Sequence, residues 1–183
     1  MKRLSILMAL FLALPGLAWA QRVALDTTMG RIVIELAPQA APKTVANFIE
    51  YVKSGHYDNT VFHRVIGNFM IQGGGYTADM SEKSTRAPIP LESQNGLKNE
   101  RGAVSMARRG DPHSATAQFF INVENNPNLD FPKPDGNGYA VFGKVVDGMD
   151  VVDKIRAVPT AASGPHQNLP TTPVVIKSAR VLK

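Results

Sequence analysis

Only two stretches of this chain carry a helical repeat of apolar residues; the other apolar residues fall in short segments between turns. Val45, Phe48, Ile49 and Val52 are spaced i, i+3, i+4 and i+7. Pro42 suits the first turn of that helix and Gly55 its close. A second helix is predicted over about Met149 to Val158, with Val151, Ile155 and Val158 on one side and Pro159 as its stop. Elsewhere the period is two. Ile32, Ile34 and Leu36 alternate with Arg31, Val33 and Glu35, so Val23 to Leu36 reads as a hairpin turning at Thr27-Thr28-Met29-Gly30. Further strands are expected over Val61–Gly73 (broken at Gly67-Asn68), Ala103–Met106, Gln118–Asn122, Tyr139–Val145 and Val174–Leu182. Residues 74–101 and Asn125–Gly138 read as loops, and the first is long enough to imply a function or the wrapping of a surface. Neither an internal repeat nor a regular β-α-β alternation is present. That order excludes a parallel sheet and predicts an antiparallel barrel or sandwich with helices packed on its ends.

An amphipathic helix needs an apolar partner surface, and here only the strands can supply one. The 183 residues, 44% hydrophobic and 19% charged, suffice for one domain with its own core. The first twenty stand apart. Lys2 and Arg3 precede an almost continuous apolar run from Leu4 to Leu14, Pro15-Gly16 breaks it, and Ala18-Trp19-Ala20 has the small-x-small pattern of a signal-peptidase site. Residues 1–20 are therefore expected to be a signal peptide, and residues 21–183 the single mature domain. A run of eleven residues, apolar but for Ser5, falls well short of the roughly 20 needed to span a bilayer. The expected address is the periplasm, with no membrane attachment after cleavage. Cysteine is absent, which rules out disulfides and thiolate chemistry and leaves the chain indifferent to an oxidising compartment. Loss of Lys2 and Arg3 lowers the net charge from +5 to +3. So mild an excess, without clustering on one face, does not suggest a nucleic-acid partner.

Common catalytic signatures are missing: no GxSxG, P-loop, HExxH or dinucleotide fingerprint occurs. The four histidines, His56, His63, His113 and His166, lack metal-ligand spacing, so neither metal nor cofactor is expected. In Phe62-His63-Arg64-Val65-Ile66, alternation places Phe62, Arg64 and Ile66 on one face. A lone arginine on a strand ordinarily snorkels to solvent. Here, however, Phe69-Met70-Ile71-Gln72-Gly73-Gly74 sets Met70 and Gln72 together on one side of the next strand. Gln118-Phe119-Phe120-Ile121 then repeats the pairing of amide and aromatic. Two amides, one arginine and apolar walls are what a peptide-binding groove requires. Patterning alone leaves both readings open.

These segments, with Gly102-Ala103-Val104-Ser105-Met106-Ala107 and Val141-Phe142-Gly143-Lys144-Val145, resemble the cyclophilin family of peptidyl-prolyl isomerases, block by block and in family order. The resemblance covers essentially the whole mature chain. It implies a mainly β fold: a closed antiparallel eight-stranded β-barrel with two capping α-helices. By the same resemblance Arg64 is the catalytic arginine, while Phe69, Met70, Phe120 and Leu129 line a pocket for the proline ring. Gln72 and Gln118 are expected to hydrogen-bond the substrate backbone, and Ala107 and Arg108 to lie along the extended peptide. Three positions depart from many eukaryotic members: Asn128 replaces a tryptophan, Tyr139 a histidine, and Arg108 the asparagine of Met-Ala-Asn. They look like the bacterial branch and argue against tight cyclosporin binding, whereas Tyr139 can still donate from its hydroxyl.

Such an enzyme needs no nucleophile, acid-base pair or cofactor, which accounts for the missing motifs. Its expected partners are proline-containing peptides and unfolded exported proteins, met as a monomer. Two alternatives make different predictions. A non-catalytic proline-peptide binding module or chaperone would not need the charge of Arg64. A lipocalin-type barrel would have an interior open to a hydrophobic ligand, so the packing of Ile34, Phe48 and Ile66 distinguishes it.

Overall fold

A computed structural model describes residues 21–182; the predicted signal peptide lies outside them. Ten strands and two helices occur in the order β1 (Arg22–Thr27), β2 (Gly30–Leu36), α1 (Pro42–Lys53), β3 (Thr60–Ile66), β4 (Met70–Thr77), β5 (Ala103–Met106), β6 (Phe119–Asn122), β7 (Val141–Asp147), α2 (Met149–Arg156), β8 (Thr160–Ser163), β9 (His166–Pro170) and β10 (Val175–Leu182). Eight of the strands close into a barrel in the order β1-β10-β3-β4-β6-β5-β7-β2. Every neighbouring pair is antiparallel. At the β1–β2 turn Gly30 adopts φ +133, and a Cβ there would come within 2.7 Å of Val151 Cγ2 on α2. Glycine is needed at this position for both its φ and its size.

The barrel interior is filled. Phe48 of α1 is fully buried, with its ring 5.0 Å from that of Phe142, 5.1 Å from Tyr57 and 5.5 Å from Phe119. Ile34 from β2 and Val152 and Ile155 from α2 join the same core. Each such side chain contributes roughly 1.5–3 kcal/mol relative to exposure. A filled core excludes the lipocalin-type reading, although Ile66 takes no part in it and is partly exposed.

The most consequential difference from the expected pattern lies in β3. Strict alternation would put Phe62, Arg64 and Ile66 on one face, yet Phe62 and Val65 both belong to the core. The register explains this: Phe62 pairs with Gly73 and Arg64 with Gln72, so His63 is an extra residue in the strand. A β-bulge of this kind reverses the side-chain alternation beyond it. Phe62 therefore points inward while Arg64 is released to the outer wall.

Smaller differences follow from contacts distant in sequence. β4 continues to Thr77, beyond the predicted end at Gly73, and β7 begins at Val141 instead of Tyr139. Helix α2 ends at Arg156, with Val158 packed against the core one residue beyond the cap. The β8–β9 hairpin was not predicted, because Thr160–Ser163 is exposed throughout and has no apolar alternation. The long loop does wrap a surface. Its Glu92 accepts hydrogen bonds from Lys43 N (3.1 Å) and Thr44 N (2.9 Å), satisfying donors in the first turn of α1 that Ala41 cannot cap. Its Arg86 lies 4.3 Å from the centre of the Tyr51 ring.

Candidate active site

Arg64, Met70, Gln72 and Phe120 project from the outer faces of β3, β4 and β6. Because β4 pairs with both other strands, Gln72 stands opposite Arg64 on one side and Phe120 on the other. Together with Phe69, Ala107, Arg108, Leu129 and Tyr139 they line a hollow of about 120 Å³. Nine of the ten residues expected from the sequence thus surround one depression. The tenth, Gln118, lines an adjoining hollow of about 400 Å³ that shares Gln72, Ala107 and Arg108 with the first.

The polar groups form an ordered relay. Arg64 Nη1 donates to Gln72 Oε1 at 3.3 Å, and Gln72 Nε2 donates to Gln118 Oε1 at 3.0 Å. Both ends of the Gln72 amide are engaged, so this side chain orients its neighbours. Gln118 Nε2 makes no hydrogen bond among the described residues. Gly75 makes room for Gln118, since a Cβ there would lie 2.5–2.6 Å from its Nε2, Cδ and Cγ.

Arg108 and Tyr139 sit together, but not as the sequence suggested. The Arg108 side chain is only 2% exposed and its guanidinium lies 4.6 Å from the centre of the Tyr139 ring. Tyr139 is held through its ring, which meets that of Phe120 in a T-shaped arrangement at 5.7 Å. Its hydroxyl makes no hydrogen bond among the described residues. Asp135, which sequence reasoning missed, accepts two bonds from Arg108 Nη2 at 2.8 and 2.7 Å. That fork holds the Asp135 carboxyl below the usual carboxylate range. Nothing in the local sequence marked this acid, which sits in a Pro- and Gly-rich loop.

Beside Arg64, His63 is covered by the β8–β9 hairpin. Its ring meets Tyr76 at 4.7 Å, and Tyr76 meets His166 at 5.1 Å. Burial, then the nearby His166 and Arg64, lowers the His63 pKa to about 4. The imidazole is neutral at pH 7, so the positive charge at this point of the wall belongs to Arg64. The larger hollow also recruits Glu82, Thr85, Arg86 and Pro88 from the long loop. The length of that loop was the only sequence signal for them.

A closed, filled barrel with an arginine beside an apolar hollow on its outer wall defines a cyclophilin-like protein. The family model described as cyclophilin type peptidyl-prolyl cis-trans isomerase/CLD matches residues 22–181. The chain is 60% identical over 162 residues to a peptidyl-prolyl cis-trans isomerase of Streptomyces antibioticus, covering 87% of this chain and 98% of that one. It is 54% identical over 161 residues to peptidyl-prolyl cis-trans isomerase B of Escherichia coli (strain K12), with coverage of 87% and 98%. A solved cyclophilin-type isomerase of Cryptosporidium parvum superposes with a TM-score of 0.74 at 29% identity, covering 89% of this chain and 98% of that one. A second structure of that isomerase, obtained in the presence of the dipeptide Ala-Pro, gives the same TM-score of 0.74 at 28% identity. The chain belongs to the cyclophilin-type peptidyl-prolyl cis-trans isomerases.

Proposed function

We propose that Arg64 is the catalytic group of this isomerase and that the adjoining hollow seats the proline ring of the substrate. The observation that carries this reading is the position of the Arg64 guanidinium at a small depression walled by the apolar side chains Phe69, Met70, Phe120, Leu129 and Tyr139, the second arginine there, Arg108, being bonded to Asp135, Gly138 and Arg109. Rotation about a peptide bond has a barrier of about 18–20 kcal/mol, because the nitrogen lone pair is delocalised into the carbonyl. In the twisted transition state that conjugation is lost and the prolyl nitrogen becomes pyramidal and basic. A donor aimed at this nitrogen stabilises the twisted form over both planar ones. Guanidinium suits the role, being permanently protonated and carrying its donors in a rigid fork.

Gln72 keeps Arg64 aimed, and Gln118 offers Nε2 donors to a substrate carbonyl. The apolar walls hold the ring still while the residue before it turns. A millionfold acceleration needs about 8 kcal/mol of preferential transition-state stabilisation, for which an oriented charged donor in a partly dry groove is a sufficient type of source. The test is a proline-isomerisation assay on the domain and on Arg64→Ala. The variant is expected to lose turnover by about a hundredfold while remaining folded. Unchanged turnover in a folded variant removes Arg64 from its role.

The biological setting in this reading is the periplasm, where the enzyme acts as a monomer on unfolded exported proteins. The basic start, apolar run and Ala18-Trp19-Ala20 support export. N-terminal sequencing of protein recovered outside the cytoplasm should begin at Gln21; retention of residues 1–20 in the cytoplasm would refute it.

A further inference from the structure

All three nitrogens of the Arg108 guanidinium donate within the protein, in four hydrogen bonds. Nε donates to Gly138 O at 3.0 Å, Nη1 to Arg109 O at 3.1 Å, and Nη2 to both oxygens of Asp135. Gly138 and Asp135 flank the segment that delivers Tyr139, so the fork grips that segment at two points. The Tyr139 ring lies under the guanidinium and meets the Phe120 ring in a T-shaped arrangement. Tyr139 N also donates to Leu129 O at 2.9 Å. Two walls of the hollow, Tyr139 and Leu129, are therefore linked, and the Tyr139 ring that Arg108 holds also meets a further wall, Phe120.

We propose that Arg108 is a positioning residue: it clamps Tyr139 against Phe120 and so sets the width of the hollow, instead of touching the peptide with its charge. The proposal rests on the reading of that hollow as the proline-ring pocket. Three features support it. The side chain is almost wholly buried, which a group reaching for a passing peptide would not be. Four of its five donors are engaged by partners within the protein. A planar guanidinium can hold a carboxylate and stack flat on a ring at the same time, whereas a lysine ammonium is a point charge that cannot do both at once. Arginine is thus demanded by shape as well as by charge.

The clamp acts on the ground and transition states alike, because the proline ring occupies the hollow in both. Loosening it should raise KM and leave kcat nearly unchanged. The experiment measures kcat and KM on a proline peptide for wild type, Arg108→Ala, Arg108→Lys, Asp135→Asn and Arg64→Ala. It is paired with NMR of ¹³C-labelled tyrosine rings to report the packing of Tyr139 on Phe120. For Arg108→Ala the expected result is a KM about tenfold higher with kcat within about twofold, and a Tyr139 resonance shifted toward its free position.

Arg108→Lys should behave like the alanine variant. Asp135→Asn, a change at an exposed side chain that spares the fold, should give a smaller KM rise in the same direction. Rescue by lysine together with a silent Asp135→Asn would overturn the proposal in favour of direct ionic contact with the peptide. An unchanged KM in Arg108→Ala would overturn it too. Arg64→Ala separates the two levels: if it loses turnover while Arg108→Ala resembles wild type, only the clamp fails. If Arg64→Ala is silent, the pocket assignment itself falls.

Discussion

Along β4 and β6 the same backbone serves two environments. Ile71, Phe119 and Ile121 face the barrel interior, while Met70, Gln72 and Phe120 face the groove. Inside, contacts are apolar and shape-filling, as in the edge-to-face meeting of Phe119 with Tyr57 at 5.5 Å. Outside, position is set by directional bonds: the Arg64–Gln72–Gln118 relay and the Arg108 fork. The comparison separates what holds the molecule together from what lets it act. Substitutions on the inner face should cost stability, and those on the outer face should cost turnover or binding.

The strongest attack on that division is Phe119→Ala. Loss of a fully buried ring should destabilise the domain by about 3–5 kcal/mol in urea unfolding, with the folded fraction still active. Inactivity without lost stability would break the comparison.

His63 probes a part of the outer wall that is itself buried. Its pKa in the folded protein is about 4, below the ordinary value of 6.5. The unfolded chain therefore binds the proton more readily, so stability is fully present above pH 6.5 and is lost as pH falls toward 4. About 3 kcal/mol should disappear across that window, and His63→Gln should flatten the slope when unfolding is measured at successive pH values. His56 is shifted the same way, chiefly by burial, and contributes to the slope that remains.

Gly75→Ala tests the groove without replacing a polar group. The new Cβ must displace the Gln118 side chain, so kcat/KM should fall by about tenfold with little change in melting temperature. The smallest effect is expected at the loop: Glu92→Gln weakens the cap of α1 and should cost about 1 kcal/mol without altering turnover. Should turnover fall as well, the loop's contribution to the larger hollow depends on that cap.

Much of the site was legible because its residues are large, polar or aromatic and stand within short blocks. Arg64, Gln72, Gln118 and Phe120 could be named from the sequence and its family resemblance, and the structure gathers them around adjoining hollows. The partners of those residues were not legible. Asp135 lies 27 residues from Arg108, and Glu92 lies 48 from Thr44. An acid in a polar loop shows no periodicity that could reveal such a contact. The hairpin of β8 and β9 was missed for a related reason, since an exposed strand carries no buried face.

The sequence by itself determined two helices, a set of short strands without β-α-β alternation, and the chemical types available to the groove, because periodicity and residue identity are local properties. Tertiary structure alone decided which way Arg64 faces. Alternation grouped it with Phe62, and only the pairing of β3 with β4 introduces the bulge at His63 that sends Phe62 into the core and Arg64 to the outer wall. Strand register is a property of two strands together, and one-dimensional spacing does not contain it.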